Sequence, residues 1–99
     1  IGFDNIIVDP GFGFAKDAVQ NFRLMKDLGE FKKLGYPVLV GISRKGMIWK
    51  TLGITPDEAL NGTTVLNTAA LLHGADILRV HDVKEAVQAV KLVSMLGID

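Results

Sequence analysis

The chain contains no cysteine, which excludes disulfides and thiolate-held metals and fits a reducing compartment. It has no excess charge of either sign: 11 Lys and Arg stand against 11 Asp and Glu, for a formal net charge of zero. Bulk electrostatics therefore gives no reason to expect a nucleic acid or an anionic membrane as partner. No apolar run approaches the ~18 residues of a membrane span, and no stretch reads as a signal peptide. The expected location is the cytoplasm. Low-complexity stretches and tandem repeats are also missing. What remains is a globular composition, 48% hydrophobic and 22% charged over 99 residues, the size of one small domain. The chain opens on Ile1 rather than Met and meets a strand-like run almost at once, so it is expected to be part of something longer.

Ile6-Ile7-Val8 is β-branched and predicts a buried strand. Asp9-Pro10-Gly11-Phe12-Gly13-Phe14 follows as a shaped loop, because Pro fixes φ and Gly permits conformations closed to other residues. Asp17 with Gln20 has the spacing of a capping box. Val19, Phe22, Met25, Leu28 and Phe31 then recur at helical spacing and predict one amphipathic helix to about Leu34, stopped by Gly35 and Pro37. Val38-Leu39-Val40 predicts a strand buried on both faces that runs to about Ile42. Ser43 is placed to cap a short helix over residues 46–52. Arg44 and Lys45 would then sit in its first turn, where the dipole disfavours a cation by roughly 0.3–1 kcal/mol. Thr55-Pro56-Asp57-Glu58 opens a helix to about His73, with Leu60, Leu66, Ala69 and Ala70 on one face. Ile77-Leu78-Arg79-Val80-His81 is the third strand, and Asp82 with Glu85 makes a third capping box. Ala86, Val87, Val90 and Val93 stripe the last helix. Strand then helix, three times over, predicts an α/β fold of parallel βα units.

In parallel α/β folds, ligands bind beyond the carboxyl ends of the strands. Those ends carry Asp9, then Ser43-Arg44-Lys45, then Arg79 and His81, while the strand starts are bland. Arg79 and His81 share parity and so face one side of their strand. Charge gathered on one rim suits an anionic or electron-rich ligand. Each residue also has a plainer use. Asp9 before Pro fits a turn, Arg79 an ion pair, Asp82 a helix cap, and His73 a cation at a helix end. Phe12 and Phe14 fit either core or a lid, and Trp49 fits packing. No P-loop, dinucleotide motif or Cys/His metal spacing is present, so no metal ligand is assigned.

Read together, the three tips resemble dihydropteroate synthase. The matching elements are Asp9-Pro10-Gly11-Phe12-Gly13-Phe14 with Lys16, then Gly41-Ile42-Ser43-Arg44-Lys45, then Arg79-Val80-His81-Asp82, in the family's order. The resemblance covers nearly the whole chain. It implies a pterin-binding TIM (β/α)8 barrel, of which residues 1–99 would form the C-terminal three βα units. It also implies the reaction: a dihydropterin bearing a hydroxymethyl diphosphate condenses with 4-aminobenzoate to dihydropteroate, releasing diphosphate, for folate synthesis.

By the same resemblance Asp9 hydrogen-bonds the pterin ring and Lys45 holds a pterin edge. Arg79 and His81 bind diphosphate together with Mg²⁺, whose main ligands would lie outside this chain. Phe14 and Ser43 line the aminobenzoate side, where sulfonamides compete. Lys45, Arg79 and His81 would be the catalytic residues of a dissociative mechanism, which needs little general-base chemistry. Gly46 departs from the family, many members of which carry a hydroxyl residue there. The expected partners are the two small-molecule substrates and further copies of the chain. Two other readings stand beside this one: a pterin-binding methyltransferase of related barrel type, and a catalytically inactive folding or assembly fragment.

Overall fold

A computed structural model of the chain describes residues 6–13 and 16–97. Helix α1 (Ala18–Lys26) and the one-turn α2 (Gly29–Lys32) precede strand β1 (Leu39–Val40). Helix α3 (Gly46–Leu52), a 3₁₀ turn (Pro56–Glu58) and α4 (Leu60–Leu72) lead to β2 (Ile77–Leu78), and α5 (Val83–Ser94) ends the order. β1 and β2 pair in parallel, Leu39 opposite Ile77 and Val40 opposite Leu78. Val8 adds a parallel bridge to Val38 on the other side of β1, with Val8 N–H bonded to Pro37 and Leu39 N–H bonded to Val8. Three parallel segments therefore lie side by side in chain order, as the βα alternation predicts. Helix α1 packs on α3, α3 on α4, and α4 on α5. Phe12, Met25, Leu28, Val38, Val40, Ile42, Met47, Ile48, Ala59 and Ala70 fill the space between sheet and helices. Phe12 is therefore core, and Trp49 packs against the edge of the same cluster.

Several local expectations are corrected. The segment at residues 6–8 is not a buried strand: only Val8 is paired, and Ile7 is 52% exposed, because no described residue covers its outer face. The single helix to Leu34 is two. Leu28 is fully buried, and its N–H bonds the carbonyl of Met25 three residues back, tightening the turn before the poor helix former Gly29. Val19 faces solvent rather than the core. The capping box of Asp17 and Gln20 is present. That of Thr55 and Glu58 is present too, but it caps the 3₁₀ turn, and α4 starts after it.

On α4, Ala70 of the expected face is buried and Leu66 packs against the core, but the other buried residues are Thr63 and Asn67 rather than Leu60 and Ala69. Close approach explains this choice, since a Cβ added at Gly62 would stand 2.5 Å from Ile48 Cγ2 of α3. On α5 the buried residues are Ala86 and Ala89, while Val87 and Val90 of the expected stripe lie exposed. The strand starts are not bland: Asp76 accepts from Val38 N–H at 2.8 Å and from Lys32 Nζ at 2.5 Å. Burial pushes the Asp76 carboxyl up, but these two bonds outweigh it and hold the group below its ordinary value. Among the described residues no helix is long and apolar enough to cross a membrane.

Among the described residues β2 and the Val8 segment each pair on one side only. Val83, Val87 and Val90 also leave an apolar surface on α5. Unpaired strand edges are templates for pairing with another chain. The 99-residue chain alone is expected to self-associate at tens of micromolar. Sedimentation showing a monomer that melts cooperatively would overturn this.

Candidate functional site

The carboxyl ends of the three parallel segments bring Asp9, Ser43, Lys45, Arg79 and His81 to one rim. The third segment is shorter than expected: β2 ends at Leu78, although Arg79 N–H still bonds the carbonyl of Val40 at 3.0 Å. A cavity of about 130 Å³ is lined by Gly41, Ser43, Lys45, Arg79, Val80 and His81. Lys45 is shared with a neighbouring cavity of about 290 Å³ lined by Phe12, Gly13 and Gly46. The shared parity of Arg79 and His81 thus does bring both to one cavity. Gly41 makes room for the first of them, since a Cβ there would stand 2.7 Å from Arg79 Nη2. Phe14 lies outside the described residues.

The β1 tip departs from the helix-cap expectation. Lys45, not Ser43, is the N-cap residue of α3, and its side chain makes no cap bond. Arg44 and Lys45 therefore stand ahead of the helix, not in its first turn. Arg44 has φ 54°, a left-handed conformation that costs a non-glycine residue roughly 1–2 kcal/mol. Neighbouring groups hold it there. Its N–H donates to Thr63 Oγ1 at 3.0 Å. Its Nε and Nη2 donate to Asp82 Oδ2 at 3.0 Å and Oδ1 at 2.8 Å. The Asp82 carboxylate is thus taken by Arg44 across the sheet, and the expected capping bond to α5 is absent. The bidentate bonds push the Arg44 guanidinium up and hold the Asp82 carboxyl below its ordinary value.

The remaining polar groups fix the other side chains. Ser43 Oγ meets His81 Nδ1 at 2.8 Å and accepts from His81 N–H at 3.2 Å. Lys45 Nζ donates to the Phe12 carbonyl at 2.6 Å, bridging the second tip to the first. Burial, then Arg79, push the Lys45 amine below its ordinary value, against an opposing pull from Asp9. Asp9 Oδ1 accepts from Gly11 N–H at 2.9 Å, so it is a turn residue as well. Its Oδ2 lies 3.8 Å from Arg79 Nη1. Lys16 Nζ donates to the Gly11 carbonyl at 3.1 Å. His73 is exposed at the end of α4, with Nδ1 2.8 Å from the Ala69 carbonyl.

Two supporting residues were not foreseen. Asn21 Oδ1 accepts from Gly13 N–H at 2.9 Å while Asn21 Nδ2 donates to the Asp17 carbonyl at 3.1 Å, fixing the first loop. Thr63 holds the backbone of Arg44. Both are polar residues in line with core positions four and seven along, Asn21 with Met25 and Leu28, Thr63 with Asn67 and Ala70. A polar side chain on a core face needs a partner, and that was the available signal.

A family model described as pterin binding enzyme matches residues 1–81. The chain belongs to this family. Dihydropteroate synthase of Escherichia coli strain K12 is 44% identical over 93 residues, covering 94% of this chain and 33% of that protein. The Synechocystis enzyme of the same name is 48% identical over 94 residues, covering 94% of this chain and 32% of its own length. The structure of a dihydropteroate synthase from Coxiella burnetii in complex with pteroic acid superposes with a TM-score of 0.94 at 42% identity, covering all of this chain and 37% of that one. The chain thus spans about a third of the length of the relatives it matches.

The depressed Asp82 carboxyl has a consequence for stability. A group whose folded value lies below its unfolded one, ~3.9 for Asp, contributes stability that is complete above that unfolded value. The contribution fades as pH falls through the folded value. Asp82→Asn is therefore expected to lower stability at neutral pH and to flatten its acid-side loss. Parallel slopes for the two proteins between pH 5 and pH 2 in urea titrations would overturn the assignment.

Proposed function

We propose that the chain is the C-terminal three βα units of a (β/α)8-barrel dihydropteroate synthase. In that reading the enzyme couples 6-hydroxymethyl-7,8-dihydropterin diphosphate with 4-aminobenzoate in the cytoplasm. The observation that carries the reading is the meeting of Lys45, Arg79 and His81 around one cavity, with Asp9 beside Arg79. Its support is the family match and the pteroic acid bound by the Coxiella burnetii relative. The pterin methylene carbon loses its bond to diphosphate oxygen, and the electron pair leaves with the diphosphate. Arg79 and His81, which line one cavity, would stabilise that departing charge. Asp9 would accept from the pterin N–H edge and Lys45 would hold that ring nearby. The aminobenzoate nitrogen then bonds the methylene and releases a proton to solvent.

Mg²⁺ travels with the diphosphate in this proposal. Among the described residues no group of three or more His, Cys, Asp or Glu side chains could hold a metal ion; in this proposal its main ligands would come from the rest of the protein, and no step is routed through it. Barrel strands absent from this chain would supply the other pterin contacts, and copies of the protein would associate. The 99 residues alone are accordingly expected to be inactive.

Two experiments test this. The full-length protein that carries this chain should form dihydropteroate, and its Lys45→Ala variant should turn over at least ~100-fold more slowly, the scale of one preorganised electrostatic contact. Absence of product, or a variant within a few-fold of the parent, would sink the reading. Gly41→Ala should act chiefly on Arg79, because the three atoms nearest the added Cβ all belong to the guanidinium end of that side chain. Diphosphate affinity is expected to fall about tenfold, the loss of one hydrogen bond to a charged group, with an unchanged melting temperature. Unaltered affinity would show that Arg79 does not hold the anion.

A further inference from the structure

Ser43 is 6% exposed, and its hydroxyl makes two contacts, both to His81. The backbone N–H of His81 can only donate, so Ser43 Oγ accepts there. The hydroxyl has one proton, and among the described residues the only acceptor it meets is His81 Nδ1 at 2.8 Å. Were Nδ1 the protonated atom of the neutral ring, that hydroxyl proton would have no partner among the described residues, with the desolvation cost that carries. The partner of one ring nitrogen sets the state of the other.

We propose that Ser43 is a positioning residue for His81: its hydroxyl donates to Nδ1, fixes the ring, and leaves the neutral imidazole protonated on Nε2. No described residue bonds Nε2, and His81 lines the same cavity as Arg79 and Lys45. An anion held there would then receive a donor from His81 in either charge state of the ring. The charged groups around the ring are Lys45 and Arg79 in the cavity, Asp82 next along the chain and committed to Arg44, and Asp9 beyond Arg79. This role differs from lining an aminobenzoate site. It rests on the proposed function only for the identity of the anion.

The test is ¹⁵N NMR of histidine-labelled full-length protein, with His81→Gln to assign the signals, well above the ordinary imidazole value of ~6.5. The expected spectrum shows His81 protonated at Nε2 and bare at Nδ1. Ser43→Ala should mix the two tautomers and weaken inorganic diphosphate binding about tenfold, as loss of a histidine-orienting partner does elsewhere. Ser43→Thr, which keeps the hydroxyl, should restore both. A parent spectrum showing Nδ1–H overturns the proposal without any variant. So does a Ser43→Ala protein with unchanged tautomer and affinity. Neither outcome bears on whether the full-length protein makes dihydropteroate, so this proposal and the functional one can fail separately.

Discussion

The bidentate pair between Arg44 and Asp82 is the constraint on which the rim depends. The regular ladder between β1 and β2 is only two residues long, too short to fix by itself what lies beyond it. Side chains lock both of its ends. At the strand starts Asp76 takes the N–H of Val38 and the amine of Lys32. At the strand ends Arg44 reaches across to Asp82 with two parallel bonds. Exposed ion pairs contribute little. This one is part-buried, with 30% and 19% of the two side chains exposed, and its planar fork sets direction as well as distance. Ser43 and Lys45 flank one partner, and His81 precedes the other. Whatever holds Arg44 to Asp82 therefore holds Ser43, Lys45 and His81 in register.

Backbone held by buried polar side chains is the second device. Thr63 and Asn21 each lie on the core face of a helix and each bonds a loop N–H, of Arg44 and of Gly13. The helices thereby fix the geometry of the loops at the strand ends. This role explains why α4 buries a small polar face where an aliphatic one was expected. A leucine at residue 63 would fill space but leave the Arg44 N–H without its acceptor, and the left-handed turn would lose one of its two supports.

The alternation of strand and helix was legible because it rests on long apolar runs and on Pro and Gly between them. So was the gathering of Asp9, Lys45, Arg79 and His81, since topology alone sends strand ends to one edge. The partnerships were not. Asp82 and Ser43 each satisfy a local capping pattern, and in each case a partner from a different strand won: Arg44 for one, His81 for the other. Local patterns count only near neighbours, whereas these contacts span 38 residues of chain. The outward turn of Val87 and Val90 was hidden for a related reason. A valine stripe does not say which surface will meet it, and here two alanines take the close approach to the described core.

The same contacts explain how several cations can share so small a rim. Arg44 is neutralised by Asp82 and takes no part in the cavity charge. Arg79 has Asp9 near it at 3.8 Å, beyond hydrogen-bond length, so its charge is only partly offset. Lys45 feels both its burial and Arg79, and its amine is lowered accordingly. Gathering these groups costs folding free energy, and the clamp between the tips is what sustains it. The Lys45 amine and the His81 ring are already fixed, by the Phe12 carbonyl and the Ser43 hydroxyl. Groups fixed by the fold in this way need no reorganisation of the kind that solvent requires before they can stabilise charge. Part of the frame that fixes these charges, Arg44, Asp82 and Thr63, lies outside the lining of the cavity itself.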